Sequence, residues 1–542
     1  MDYIISYGVK IILSQSLYRM NMSYQNSGSF REFVGKEDVF LAPVLKWAIG
    51  PKTQATFELE YNHQHSGLDA AFVPFINGKL LNMPRGRNYA EYSPSTTEAV
   101  LGSFNWSHQF NDDWSIKHRF TVNHQTNDLS LTAASGVDDN GNVTRYQFGS
   151  NFKLNTYSTN LDLIGHFDTA GLKHTLLFGG DYYRIDKHEI GLLNLVDAIS
   201  FANNESLIDL NNPVHPGSPF PGRLQPSFLE NIQTDLYGLY IQDQIKLPYG
   251  FQVMGGIRYQ YLHQKALNQG LGLLASPPDY TTQTDDAVTP RVGFLWQPQS
   301  WISLYANYVE SFGANTGKLL TNRPVPSTSA EQYEGGIKTE FFGGRLRATL
   351  AYFDLTKNNV ATPHPNLAFA KAGYSVITGA ARSRGPELDI TGEILPGWNV
   401  IATYANLDTK VLQTNDNSNG QTPMIGSRFF NAPRNTGSIW STYEILDGDF
   451  KGIKIGGGAT FRDGQIGCCD TPSYKIPGYA TVDLLAAYSL DVGKTKITAQ
   501  LNINNLLDKH YFAGIFTQKD NRNGGVDFGQ PRTFMGAINV QY

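Results

Sequence analysis

Apolar and polar residues alternate with a period of two through most of the chain. At 495–504 the odd positions hold Thr495, Ile497, Ala499, Leu501 and Ile503, and the even ones Lys496, Thr498, Gln500, Asn502 and Asn504. At 251–260 Phe251, Val253, Gly255, Ile257 and Tyr259 alternate with Gln252, Met254, Gly256, Arg258 and Gln260. At 114–123 Trp114, Ile116, His118, Phe120 and Val122 oppose Ser115, Lys117, Arg119, Thr121 and Asn123. Successive side chains of a strand point to opposite faces, so each segment predicts a β-strand with one apolar and one polar face. One such strand fits any half-exposed antiparallel sheet.

The connections narrow the choice. Short turns recur at 50–52, 111–113, 169–171, 248–250, 297–299, 342–344, 395–397, 447–449 and 491–493. Between them lie long polar loops at about 65–96, 128–150, 188–230, 266–283, 312–327, 358–374, 411–428, 464–473 and 510–527. Short and long connections alternate strictly. A sandwich or propeller has no need of this, whereas an outer-membrane barrel does, with turns on the periplasmic side and loops outside. The expected fold is therefore all-β: a transmembrane antiparallel β-barrel of the 22-stranded type, occupying 1–542, with about 21 strands present. The first strand (about 3–12) runs inward, and an even count requires one more strand before Met1. A lumen this wide needs a plug, and no plug-sized globular segment stands in the sequence. The segment MDYIISYGVKIIL lacks a basic n-region, carries Lys10 in its apolar part and has no small-residue cleavage site, so it does not read as a signal peptide. In the last strand Phe534, Gly536, Ile538, Val540 and the terminal Tyr542 share one face. A closing strand that ends on an aromatic is the signal that barrel-assembly machinery reads.

Composition agrees. Aromatics are 12% (29 Tyr, 31 Phe) and charged residues only 17%, which suits a protein meeting lipid on one face. With a net charge of −5, nothing suggests a nucleic-acid partner, which would want a basic face. Mean hydropathy is −0.31 and no run of 18 apolar residues occurs, so no transmembrane helix is expected.

A series of short stretches adds a resemblance. They are GLKHTLLFGGDYYR at 171–184, YIQDQIK at 240–246, GGIRY at 255–259, ESF at 310–312 and EQYEGGIK at 331–338. FDLTKNN at 353–359, RSRGPE at 382–387, PGY at 477–479 and NINNLLD at 502–508 follow. In this order and spacing, from about residue 17 to Tyr542, the chain resembles the barrel of TonB-dependent siderophore receptors, in particular the ferric-hydroxamate (ferrichrome-type) branch. The resemblance implies outer-membrane lipid, a ferric siderophore and the TonB–ExbB–ExbD complex as partners, with iron carried only inside the ligand and no cofactor of the protein's own. The family's signal sequence, TonB-contacting box and plug have no counterpart here, so its energy coupling does not carry over to these residues. Glu387, Lys338, Lys357 and Arg382 sit in strands whose apolar face is otherwise complete, and are expected to face a wet lumen. On the lipid side at mid-bilayer, Lys or Arg costs about 2–4 kcal/mol. The strand region 375–394 is too long for the bilayer alone, so its outer end is expected above the membrane.

Family members hold the chelate in an outward-facing aromatic pocket. Phe72, Phe75, Tyr89, Tyr92, Phe220, Phe228 and Phe312 are the candidates here, because a bulky, greasy chelate suits an aromatic cup. Packing of loops against one another, or membership in the outer aromatic girdle, is the competing assignment for each. Cys468 and Cys469 are adjacent; a bond between neighbours is strained and a C-x-x-C zinc spacing is lacking, while a disulfide at an external, oxidising location stays open. The runs 138–142 and 520–524 lack the glycine and closing glutamate of a calcium loop and read as loop-tip turns. No catalytic constellation or metal spacing emerges, so no enzyme is expected. The readings that remain are a truncated or plug-less siderophore receptor, a receptor for another large nutrient, a passive porin-like channel, and a soluble all-β binding protein. The strict alternation of turns and loops argues against the last.

Overall fold

The computed structural model describes residues 3–541 except 14–15, 70–74, 77–78, 195–204, 218–222, 316–318, 320–323, 364–374, 414–424, 468–474 and 517–524. Twenty-one long strands make the wall. They are β1 (Tyr3–Leu13), β2 (Ser16–Gly28), β3 (Gly35–Gly50), β4 (Thr53–Gly67), β5 (Pro94–Gln109), β6 (Trp114–Val137) and β7 (Asn142–Thr169). Then come β8 (Leu172–Asn194), β9 (Leu224–Lys246), β10 (Phe251–Gly270), β11 (Asp279–Gln299), β12 (Ile302–Gly313), β13 (Thr328–Phe341) and β14 (Leu346–Pro363). The wall ends with β15 (Ser375–Leu395), β16 (Trp398–Asn406), β17 (Asn435–Glu444), β18 (Ile453–Arg462), β19 (Tyr479–Val492), β20 (Thr495–Asn504) and β21 (Thr533–Gln541). Each is antiparallel to the next, in chain order. Two short strands, Glu205–Asp209 and Asp408–Val411, extend the same sheet at the outer ends of β7 and β15.

The predicted turns close the periplasmic ends. In the hairpin β7–β8 only Ala170 and Gly171 separate the paired Thr169 and Leu172, and both have positive φ (50° and 79°). That is the twist a two-residue hairpin loop requires. At Gly250 (φ 78°) an added Cβ would lie 2.2 Å from the Gln297 carbonyl, so the neighbouring turn leaves room for glycine alone.

The two faces separate as the alternation predicts. Leu239 and Ile241 of β9 stand opposite Tyr259 and Ile257 of β10, and all four are large, apolar and exposed. Their alternates Tyr240, Gln242, Arg258 and Gln260 line the inside. On the outer face two aromatic rows bound the apolar band. Near the turns lie Phe251 stacked on Trp296 (5.5 Å) and Trp301 beside Phe341 (5.8 Å). Nearer the loops lie Tyr182, Tyr237 and Tyr261 (4.9 and 6.2 Å apart) and Tyr308 beside Tyr333 (4.8 Å). From Phe251 to Tyr261 the strand rises ten residues, about 33 Å along its axis and roughly 25 Å across a bilayer at barrel tilt.

Several expected loops are instead strand. β6 and β7 meet at a four-residue tip, 138–141, and β8–β11 continue well past the tyrosine row. There both faces meet water, so the alternation fades although the backbone pairing persists. The expected loop 510–527 contains a separate hairpin, Phe512–Phe516 with Gly525–Phe528, and β21 begins at Thr533 rather than at 528. Among the described residues β1 pairs only with β2, and β21 only with β20.

The luminal expectation holds for Lys338, Lys357 and Glu387 and fails for Arg382. Lys338 lies over the ring of Tyr305, whose hydroxyl donates to Glu334 at 2.7 Å. Lys357 and Glu387 share that parity. Arg382 shares the parity of Leu388 and of Arg384, which pairs with Asp354 on the outer face of β14. Its height above the tyrosine row, where the outer face meets water, removes the lipid penalty on which the luminal expectation rested.

A candidate functional site at the outer mouth

The described residues of 68–93, between β4 and β5, lie at the outer ends of the strands and are anchored there by buried polar groups. Arg31, in the turn between β2 and β3, is almost fully buried. Its guanidinium donates twice to Asp69 (2.8 and 2.9 Å) and once each to the carbonyls of Arg85 (3.2 Å) and Arg87 (2.7 Å), and lies 5.4 Å from the centre of the Phe528 ring. Four donated hydrogen bonds offset the cost of desolvating this charge. Next to it Asn88 donates its backbone N–H to the Glu32 carboxylate (3.1 Å) and its side-chain amide to the Glu32 carbonyl (2.9 Å).

Further along, Glu91 and Arg145 form an ion pair at 2.8 Å, their side chains 5% and 1% exposed. Arg145 also donates to the Ser206 hydroxyl (3.1 Å), and Glu91 accepts from the Gly217 amide (3.2 Å). His215 lies 3.6 Å from Glu91 and edge-on to Phe33 at 4.9 Å. Removing either partner of such a pair would leave a buried charge uncompensated. Two small apolar cores frame these contacts. Tyr89, Val137, Val143, Ile208 and Leu210 make one; Ile476, Ile515 and Val526 make the other; and Met83 packs against both. Arg85 donates to Asp508 at 2.8 Å, fixing the segment to the loop between β20 and β21. The backbone N–H of Arg532 and the Arg85 guanidinium hold the Asp508 carboxyl below the usual carboxylate range. Burial, with Asp69 nearby, pushes Asp527 above it.

The predicted ligand aromatics scatter. Tyr89 lies in the loop core, its hydroxyl donating to the Leu210 carbonyl at 2.9 Å, and burial raises its pKa. Tyr92 is half exposed and shares a hydrogen bond with His65 Nε2 (2.9 Å). Phe228 takes the luminal parity of Tyr240 and Glu230 near the outer end of β9, its ring lying across Gly191. Phe312 takes the outer parity of Tyr308 and Glu310. Phe75 lies in the short strand Phe75–Ile76. Phe72, Phe220, Cys468, Cys469 and Tyr542 lie outside the described residues. The residues that organise the mouth, Arg31, Glu91, Arg145 and His215, carry no local signal, because the partners of Arg145 stand 54 and 61 positions away. Asp138 caps its own turn, accepting from the backbone N–H groups of Asn140 and Asn142, as the loop-tip reading expects. Among the described residues no group of three or more His, Cys, Asp or Glu is arranged to hold a metal ion.

A wall of paired strands with two aromatic rows, a polar lumen and a folded outer cover defines an outer-membrane receptor barrel. Residues 46–506 match the family model for the TonB dependent receptor-like β-barrel, and the chain belongs to that family. It is an outer-membrane receptor and not an enzyme. It is similar to the metal-pseudopaline receptor CntO of Pseudomonas aeruginosa, with 30% identity over 540 residues, covering 97% of this chain and 71% of the relative. It is also similar to the ferrichrome outer membrane transporter/phage receptor of Escherichia coli, at 26% identity, covering 93% of this chain and 67% of the relative. The siderophore receptor PiuA from Acinetobacter baumannii has the same fold, with a TM-score of 0.84 at 22% identity, covering 99% of this chain and 79% of that one.

Proposed function

We propose that this barrel serves the uptake of a ferric siderophore, which enters at the mouth built from segment 68–93 and the outer ends of β6–β9. The family membership carries the reading, and relatives that include receptors for ferrichrome, ferrioxamine B and metal-pseudopaline support a metal chelate as the ligand class. The exposed aromatics Tyr92 and Phe228 are the contacts we assign from the predicted set, together with Phe33 beside His215. Phe228 is the strongest of them, because it combines exposure with luminal parity. Iron arrives inside the ligand, and the protein needs no cofactor of its own. TonB with ExbB and ExbD is the energising partner of the complete receptor, and barrel-assembly machinery engages the last strand.

Taken alone, the described residues supply wall strands and the connections between them. Such a barrel would hold a wide, water-filled lumen. High-affinity binding would weaken without the wall a plug supplies, and a passive channel is then the competing activity. The test expresses the chain with an added signal sequence and measures uptake of ferrichrome and of ferrioxamine B, with and without a proton-motive uncoupler. Saturable binding with no uncoupler-sensitive uptake, and a gain in sensitivity to large antibiotics, is the expected result. Conductance with no saturable binding would leave only the passive channel.

A further inference from the structure

The inner face of the wall changes composition as β6–β11 rise past the tyrosine row. Following the luminal parity of Tyr240 and Arg258 outward, β7 presents Phe152, Ser150 and Phe148, β8 presents Lys187, Glu189 and Gly191, and β9 presents Glu230 and Phe228. Gly191 stands between Ser150 and Phe228 across the sheet, and a Cβ added to it would meet the Phe228 ring at 1.8 Å. Glycine at this place lets the ring settle on the backbone of β8 while Phe228 stays 43% exposed. One row lower, Phe152, Glu189 and Glu230 stand side by side on β7, β8 and β9. Higher on β7, Tyr146 stacks on Phe148 at 5.9 Å and continues the aromatic surface.

The charges beside these rings are unbalanced. Lys187 donates to Glu189 (2.8 Å) and to Glu230, and its ammonium lies 5.9 Å from the centre of the Phe152 ring. Glu189 also accepts from the Ser150 hydroxyl at 2.8 Å. β11 adds Asp279 and Asp285 on the same parity. Among the described inner-parity residues of β6–β11 above the tyrosine row, Lys187 is the one cation and faces these four carboxylates. The Lys187, Glu189 and Glu230 side chains are only a fifth to a quarter exposed, so solvent screens them incompletely. Lys187 displays how this face receives an ammonium: carboxylates from two strands bracket it, with an aromatic ring alongside. A carboxylate offers about four acceptor positions, so one ammonium does not saturate the pair.

This chemistry narrows the ligand. Glu230 lies two residues below Phe228, about 6–7 Å along the strand. A chelate body resting on the rings therefore brings a short aliphatic arm within reach of the carboxylates. An anionic chelate would meet the excess negative charge, which works against it. A bare metal ion fits less well, because no group of three or more His, Cys, Asp or Glu among the described residues is arranged to hold one. We propose that this inner face selects a metal chelate carrying a protonated aliphatic amine, its body on Phe228, Phe148 and Phe152 and its ammonium on Glu189 and Glu230. The inference rests on the chelate-uptake reading above and adds the charge of the ligand to it.

The test titrates the purified full chain in detergent with three ferric hydroxamates and reads quenching of its tryptophan fluorescence. The probes are ferrioxamine B, whose free amine is protonated, its N-acetylated derivative, which is neutral there, and ferrichrome, which has no such amine. Ferrioxamine B is expected to bind on the order of tenfold more tightly than the acetylated form, and the gap should narrow in high salt. Glu230→Gln should close most of that gap. Lys187→Gln should widen it, because a competing ammonium is removed. Heat-modifiability on a gel shows that each variant is folded, and Glu189→Gln takes the place of Glu230→Gln if the latter does not assemble. Equal wild-type affinity for ferrioxamine B and its acetylated form would overturn the proposal and leave chelate uptake standing. A loss shared equally by all three chelates in Glu230→Gln would overturn it too, since the carboxylate would then only shape the wall. No saturable binding of any of the three would remove the chelate reading itself, and this proposal with it.

Discussion

The wall at β8–β10 and the wall at β20–β21 are written in the same alternation, yet they differ in how much the pairing protects. In β10 the outward Ile257 is exposed, while its neighbour Arg258 is held on the inner face by Asp181 through two hydrogen bonds (2.6 and 2.8 Å). In β21 the outward Ile538 is 80% exposed and the inward Met535, Ala537 and Asn539 are exposed as well. The sequence period assigns faces equally in both places. Burial of the inner face comes from having a strand on each side, and β21 has one on one side only among the described residues. Alternation is therefore a statement about direction, whereas protection is a statement about neighbours.

The largest expected effect is on the lipid face of the fully paired sector. Ile257→Arg places a cation in the apolar band at a cost of about 2–4 kcal/mol, and should abolish the compact, heat-modifiable form on a gel. Ile538→Arg carries the same charge at the edge strand, where the side chain has more freedom to reach water, and should permit partial assembly. Equal losses would break the comparison.

On the inner face the structure predicts more than the sequence does. Alternation alone makes Arg258→Ala nearly silent, because a luminal arginine is solvated. Its bidentate pairing with Asp181, at about one-fifth and one-quarter exposure, raises the expectation to a loss of about 1–2 kcal/mol. Urea titration of refolded barrel measures it, and the double variant with Asp181→Ala should lose little more than either single change. Strict additivity would remove the pair from the account.

A smaller effect is expected at the mouth. Asp508→Asn should leave barrel melting unchanged and speed protease cleavage within 79–93 a few-fold, as the Arg85 anchor weakens. Because the Asp508 carboxyl is held below its ordinary range, its contribution is present above the unfolded carboxylate pKa. It is lost as pH falls through the depressed folded value. Wild-type protection should thus persist at pH 5 and fade only in stronger acid. A loss of protection already near neutral pH would contradict the assignment. The smallest effect is expected at Met535→Ser on the open inner face of β21, with stability unchanged within about 0.5 kcal/mol by urea titration.

Strand number, direction and the lipid-facing set were legible in the sequence because all three rest on local periodicity and turn chemistry. The luminal placement of Lys338 and Glu387 followed from the same parity. Arg382 was misjudged because parity was argued from the cost of charge in lipid, which vanishes above the tyrosine row. The hairpin at 512–528 and the outer extensions of β6–β11 were illegible for a related reason, since strands wet on both sides need no alternation. The mouth was the least legible part. Arg31, Glu91 and Arg145 sit in stretches of no distinctive composition, and what makes them central is burial supplied by distant segments. Tyr89 was singled out for being aromatic, and its hydroxyl is instead spent on the Leu210 carbonyl.

The contact between Arg85 and Asp508 joins positions 423 residues apart, and Met83 touches cores built from both halves of the chain. Closing a contact of that span carries a large entropic cost until the intervening strands have assembled. The outer mouth should therefore be the last part of the molecule to set. A chain halted before β20 could build most of its wall and still lack the surface that meets the outside world.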